Sequence, residues 1–253
     1  MSKHDNDSLG TRMKGYEAVP KNFLMKRTPV IIRLDGRAFH SFTKRKVIKD
    51  SQMSDPFSEV MRSCMWATTT ALCSQVQNVK LGYTQSDEIS LLLTDWDDVG
   101  TQQWFEGNIQ KIVSLSASIA TTAFNRAYAE YEKIEECSKL PMFDSRVFNL
   151  PKEEVCNYFI WRQQDASRNS VSMLAQFHFS PKELHKQSGS AKQDMLMLQK
   201  GVNWNDIETW KKRGACVTKQ QVERSGAIRN QWIVDHDIPI FTQDREYIER
   251  FLK

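Results

Sequence analysis

Two short apolar stretches that run into acidic residues set what this chain can fold into. Val30–Leu34 (VIIRL) leads into Asp35-Gly36-Arg37, and Val79–Thr84 (VKLGYT) is joined to Glu88–Thr94 (EISLLLT) by a tight Gln85-Ser86-Asp87. In the first stretch Val30, Ile32 and Leu34 alternate with Ile31, Arg33 and Asp35. That period of two predicts a strand with Arg33 and Asp35 on one face. In Glu88–Thr94, Ile89, Leu91 and Leu93 oppose Glu88, Ser90 and Thr94 in the same way. With the first two strands parallel and the third returning between them, Asp35 and the Asp87–Glu88 pair meet at one sheet edge. Carboxylates converging there make a hard-oxygen site of the kind that holds a divalent cation against phosphates. Neighbours on a strand point to opposite faces, so Asp87 is the expected ligand beside Asp35, with Glu88 auxiliary.

The rest of the pattern places these strands in a known order. Ser54-Asp55-Pro56 signals a helix start, and apolar residues at helical spacing carry it to about Gln75. A second helix is predicted from about Trp104 to Lys133, and Ser145–Leu150 reads as a fourth strand stopped by Pro151. The order β-α-β-β-α-β is the ferredoxin-like arrangement, which right-handed crossovers favour. Two helices would cover one sheet face and leave the other open, with Arg33 and Asp35 looking out from it. From Lys152 the pattern turns mainly helical, with strand-like stretches at Ala215–Lys219 and Gln231–Asp235. The expectation is an α+β protein: a ferredoxin-like, palm-like sheet domain over 1–150 and a mainly helical subdomain over 151–253 packed on it.

Composition excludes more than it selects. A chain of 253 residues with 40% hydrophobic and 26% charged residues is an ordinary soluble protein, and a net charge of +4 permits a polyanionic partner. No stretch has the ~18–20 apolar residues of a membrane span, and MSKHDNDSLG lacks the apolar core of a signal peptide. The five cysteines are scattered without a Cys-x-x-Cys, pointing to reduced thiols in a cytoplasmic setting. The histidines form no His-x-x-x-His pair, so zinc is not expected; His178 and His185, seven apart, read as solvated or packed. Trp66, Trp104 and Trp161 lie on helical stretches and read as packing residues. Lys182, Lys186, Lys192, Lys200, Lys211, Lys212 and Arg213 make the C-terminal half locally basic, as a solvated surface or a phosphate contact.

Paired cations held by Asp35 and Asp87 would do the work of phosphoryl or nucleotidyl transfer. Gly36 could add its backbone carbonyl and, lacking a Cβ, let a phosphate approach closely. Residues 36–40 (GRAFH) would form a turn whose N–H groups face a triphosphate, with Arg37, Lys44 and Arg45 as nearby cations.

Several separated motifs then occur in one order: Arg33-Leu34-Asp35-Gly36-Arg37, Phe39-His40, Gln85-Ser86-Asp87-Glu88, Phe143-Asp144-Ser145-Arg146 and Trp161-Arg162-Gln163-Gln164-Asp165. Together they resemble the tRNA-His guanylyltransferase family, and Lys192 to Gly214 resembles its C-terminal segment. The resemblance implies a palm used for 3′→5′ growth, in which a nucleotide's 3′-hydroxyl attacks the activated 5′ end of a tRNA and expels pyrophosphate. It implies two Mg2+ on Asp35, the Gly36 carbonyl and Asp87, and catalytic roles for Asp35, Asp87 and Glu88. Nucleotide contacts would fall on Arg33, Asp35, Gly36, Arg37, Ala38, Phe39, His40, Lys44, Ser86, Asp87 and Lys192. GTP and other NTPs, ATP for 5′ activation, a homotetramer holding tRNA across subunits, and a cytoplasmic location are implied as well. Eukaryotic members carry His-Ile-Asn-Asn-Leu-Tyr-Asn after the Trp-Arg-Gln segment; residues 167–173 here read Ser-Arg-Asn-Ser-Val-Ser-Met. That departure resembles the Thg-one-like branch of bacteria and archaea, which implies template-directed repair of 5′-truncated tRNA, with single-G addition to histidine tRNA the alternative. A nucleotide cyclase on the same palm lacks its Gly-Gly-Asp-Glu-Phe hairpin here. A non-catalytic RNA-binding module would need aromatics on the central strands, and Glu88–Thr94 has none.

Overall fold

The computed structural model describes residues 8–39, 42, 56–131, 140–224 and 227–253. After a first helix, α1 (Ser8–Ala18), the chain forms β1 (Val30–Gly36), α2 (Glu59–Gln75), β2 (Val79–Gln85), β3 (Glu88–Leu93), α3 (Ile109–Tyr128) and β4 (Phe143–Asn149). It continues through α4 (Val155–His178), α5 (Gly189–Lys200), α6 (Thr209–Arg213), β5 (Ala215–Arg224), β6 (Ala227–Asp235) and α7 (Glu246–Glu249). Among the described residues the strands form one six-stranded sheet in the order β4-β1-β3-β2-β5-β6. Both β1 and β2 pair antiparallel with β3, so they run parallel with β3 between them, the arrangement expected from the β-α-β-β-α-β order.

Period-two patterning sends the two faces of β1 into different cores. Val30, Ile32 and Leu34 pack with Cys64, Met65 and Leu72 of α2 and Ile112, Ala120 and Phe124 of α3. Ile31 joins Leu81, Tyr83 and Leu92 on the opposite face. The sequence suggested that this face stays open. Instead Val155, Tyr158 and Phe159 of α4, with Ile238, Phe241, Ile248 and Leu252 near the C-terminus, bury it. Each fully buried residue of this kind removes roughly 1.5–3 kcal/mol worth of apolar surface from water, so an uncovered face would be costly.

Element boundaries differ where local capping overrides the wider pattern. α2 starts at Glu59, because Ser58 caps it, its Oγ accepting the Met61 N–H at 3.2 Å; Ser54 and Asp55 lie outside the described residues. The long helix predicted from Trp104 breaks into a short turn, Trp104–Gly107, with Phe105 and Glu106 at φ of 50° and 55°. Asn108 then caps α3 by accepting the Lys111 N–H. His178 ends α4 while His185 lies in the following turns, so the two share no helix face.

The strand-like stretches at 215–219 and 231–235 are parts of a longer hairpin. β5 joins the free edge of β2 from Leu81↔Thr218 to Thr84↔Ala215, and beyond Thr218 it pairs only with β6, as far as Arg224↔Ala227. The projecting ribbon is solvated, so no apolar alternation marked it in the sequence. Gly214 makes the junction: with φ at +79°, a Cβ there would lie 2.3 Å from the carbonyl oxygen of Thr84. Only glycine lets α6 end this close to β2.

Candidate active site

The sheet register assembles a row of acids at one edge. Asp35 of β1 lies directly across from Glu88 of β3 and from Asp144 of β4. Directly paired residues project to the same face, so the three acidic side chains leave the sheet on one side. The next row on that face reads Arg146, Arg33 and Ser90, so acids alternate with guanidiniums. Ser86 and Asp87 form the two-residue turn between β2 and β3, with Ser86 at φ 51°, and the Gly36 N–H donates to the Asp87 carbonyl at 3.0 Å. That bond closes the end of β1 against the hairpin tip. Asp35 and Asp87, which the sequence placed together, are thus neighbours, both half-buried.

Glu88 has a more defined setting than the sequence assigned it. It is 5% exposed, and its Oε2 accepts from Arg33 Nη2 at 2.8 Å and from Arg162 Nη1 at 2.9 Å. Burial raises its pKa, and the two guanidiniums, Arg162 first, oppose that rise. Its other oxygen, Oε1, is buried and has no hydrogen-bond partner among the described residues. Trp161 is half-exposed rather than packed in a core: the Arg162 guanidinium lies 3.4 Å and that of Arg33 5.7 Å from its ring centroid. Arg162 comes from α4, 74 residues away in sequence. It sits in a quoted motif, but nothing in the spacing shows that it reaches Glu88. Asp144 and Arg146, ion-paired at 3.0 Å, complete the edge; both sit in a quoted motif, and the β4 register is what brings them beside Asp35 and Arg33.

The other expected site residues divide. Arg37 and Ala38 are exposed on the turn after β1, where Ala38 has φ 57° and the Arg37 N–H donates to Met142 O at 2.8 Å. Phe39 is 2% exposed; its ring packs on Phe124 and Phe143 at 5.1 and 5.0 Å, leaving its backbone for any ligand contact. The space beside Gly36 is taken by that ring, since a Cβ would come within 2.6 Å of Phe39. The expected phosphate approach at Gly36 is therefore replaced by an aromatic one. Ser86 is exposed at the tip. Lys192 stands apart: its Nζ donates to Ser172 Oγ at 3.2 Å, ten residues along α4 from Arg162. At helical rise that is about 15 Å from the acid row. His40, Lys44 and Arg45 lie outside the described residues.

The donor set fits a hard divalent cation. Asp35 and Asp87 offer carboxylates and Gly36 a carbonyl, and Mg2+ characteristically takes one or two carboxylates while keeping sites for water and phosphate. Among the described residues no three His, Cys, Asp or Glu side chains group to cage a metal. No helix among them is long and apolar enough to cross a membrane.

Known proteins are similar to this chain in sequence and in fold. The profile of the family described as Thg1, tRNAHis guanylyltransferase, matches residues 10–151. A bacterial tRNA(His) guanylyltransferase (Thg1)-like protein in complex with ATP superposes with a TM-score of 0.87 at 46% identity, covering 97% of this chain and 99% of its own. A structure of such a bacterial protein in complex with GTP gives 0.82 at 44% identity with the same coverage. The tRNA(His) guanylyltransferase of Debaryomyces hansenii is 27% identical over 81% of this chain and 79% of its own length.

Proposed function

The chain belongs to the tRNAHis guanylyltransferase family of nucleotidyltransferases, and from that premise we propose that it adds nucleotides to the 5′ end of tRNA in the 3′→5′ direction. The observation that carries the reading is the juxtaposition of Asp35 with the hairpin tip, tied by the Gly36–Asp87 backbone bond at 3.0 Å. Asp35, the Gly36 carbonyl and Asp87 would hold Mg2+. Bound there, the cation would neutralise triphosphate charge and acidify the attacking hydroxyl.

The protein's own groups define the remaining roles. The N–H groups and cation of the turn after β1, with Arg37 exposed on it, would face the triphosphate. Ser86 at the tip would contact the same nucleotide. Arg33 would hold phosphate while Glu88, shared with Arg162, fixes its guanidinium. A 3′-hydroxyl held beside this row would attack the α-phosphorus of a 5′-triphosphorylated tRNA: the new P–O bond forms, the α–β P–O bond breaks, pyrophosphate leaves and the hydroxyl proton passes to solvent, whereas an adenylylated end would release AMP instead. The ATP and GTP complexes of the bacterial relatives support nucleotide binding here.

Residues 167–173, which lack the eukaryotic string, favour template-directed repair of 5′-truncated tRNA over single-G addition. The deciding experiment offers each labelled nucleoside triphosphate, with magnesium, to tRNAs that lack their first nucleotide and differ in the base opposite the gap, with mono- and triphosphorylated 5′ ends compared. Repair predicts pyrophosphate release and growth by a nucleotide complementary to the opposing base. Addition of G whatever base it faces would favour the single-G reading, and no incorporation with any nucleotide would remove both.

A further inference from the structure

One turn past Arg162, a cavity of about 390 Å³ opens beside α4. Its lining includes Gln164, Ser167, Arg168, Trp204, Lys212 and Arg213. Three of these side chains are cationic, Arg168 being ion-paired with Asp165 at 3.0 Å, and among the described residues no carboxylate lines the space. Lys212 is only 8% exposed, and its ammonium donates to the neutral carbonyl of Asn205 at 2.5 Å. Burial and then Arg213 lower its pKa, against the pull of Asp206 and Asp237 beyond the lining. A desolvated ammonium is costly unless an anion compensates it. Trp204 supplies a flat apolar wall, its ring held by the Nε1–H bond to Ser170 Oγ at 2.9 Å, with Lys212 Nζ 6.0 Å from the centroid. A volume in the 300–1,000 Å³ range of ligand sites, one aromatic face, two cations held by backbone carbonyls and the exposed Arg168 suit a base joined to a phosphate.

The cavity is also built onto the strand that carries the acidic tip. Arg213 ends α6, and its carbonyl accepts the Tyr83 hydroxyl of β2 at 2.6 Å. Arg213 Nη1 is held by Ile238 O at 3.0 Å, and the Ser167 hydroxyl donates to Lys212 O at 3.0 Å.

We propose that this cavity binds a nucleoside phosphate, namely one unpaired nucleotide of the RNA substrate, its base against Trp204 and its phosphate against Lys212 and Arg168. The RNA identity rests on the function proposed above; the nucleotide chemistry rests on the cavity alone. The test is equilibrium binding, without nucleoside triphosphate, of tRNA and of a 5′-phosphorylated single-stranded RNA oligonucleotide to wild type, Arg168→Ala, Lys212→Met and Trp204→Leu. GMP is titrated separately. Arg168 has a side chain 64% exposed and pairs with Asp165, so its removal spares the fold even where Lys212→Met does not. RNA affinity is expected to fall about fivefold in Arg168→Ala and tenfold or more in the other two. Each lost cation should flatten the salt dependence by about 0.7 in log–log slope. Loss of GMP binding in the same variants with RNA binding intact would assign the same chemistry to a free nucleotide. All three variants binding RNA and GMP as wild type would overturn the site. A wild type that binds RNA through this cavity yet incorporates nothing would instead sink the functional reading and leave the cavity standing.

Discussion

Replacing Arg162 by Met tests whether the acid row is held from α4. Arg162 is 3% and Glu88 5% exposed, and they meet at 2.9 Å. Breaking a buried pair by removing one partner costs about 3–5 kcal/mol, because a charge stays behind in low dielectric. Glu88 keeps Arg33 at 2.8 Å, which places the expected loss near the lower end, about 3 kcal/mol. For a chain of this size roughly 2–4 °C of melting temperature goes with each kcal/mol, so the midpoint should drop by about 6–12 °C. The internal control is Arg146→Met, whose ion pair with Asp144 is about half exposed on both sides and should contribute only ~0–1 kcal/mol. Urea unfolding of both variants, alone and combined with Glu88→Gln, measures the difference and the coupling. Glu88→Gln should mask at least about 1 kcal/mol of the Arg162→Met effect and none of the Arg146→Met effect. Equal losses in the two arginine variants, or strict additivity with Glu88→Gln, would refute the anchoring argument.

Three further outcomes are expected. Asp35→Asn or Asp87→Asn should lower nucleotide transfer by about 10³-fold or more, roughly 4 kcal/mol of barrier, while circular dichroism stays native; substantial activity in either would remove the metal assignment. Gly36→Ala should cost about 1–3 kcal/mol in urea unfolding, because its Cβ would collide with the Phe39 ring, and a neutral effect would mean that β1 can yield there. Stability should fall as pH rises from about 9 to 11. Burial pushes the Cys64 thiol up to about 11 and the Tyr158 hydroxyl up to about 12, and raises Cys73, Cys216 and Tyr247 as well. These acids keep their protons longer folded than unfolded, so their contribution is full below the unfolded pKa and disappears as pH climbs through the folded values. A urea midpoint unchanged between pH 8 and 10.5 would contradict that sign.

The period-two alternation of Val30–Asp35 and of Glu88–Thr94 was legible because each strand buries one face in the α2–α3 core, and burial is what writes such a pattern. The adjacency of Asp35 to the hairpin tip followed from that order alone. Glu88 was not legible in the same way: its setting depends on α4 folding back over a face that sequence periodicity left open. The apolar residues of α4, Val155, Tyr158 and Phe159, show a helix with something to bury but not which surface it covers. The β5–β6 ribbon was seen only at its buried base, because Lys219–Gln221 and Ala227–Gln231 are solvated and carry no alternation. Lys192 was expected among the nucleotide contacts, yet α5 carries it along α4 to Ser172, a displacement that depends on how two helices pack.

Position 214 has a mechanical consequence. With no side chain there, the tail of α6 rests on the backbone of Thr84, three residues before Asp87. Whatever displaces that helix therefore presses on the strand leading to the acidic tip. The proposed RNA cavity and the acidic edge share this backbone contact, so a side chain introduced at position 214 should disturb both.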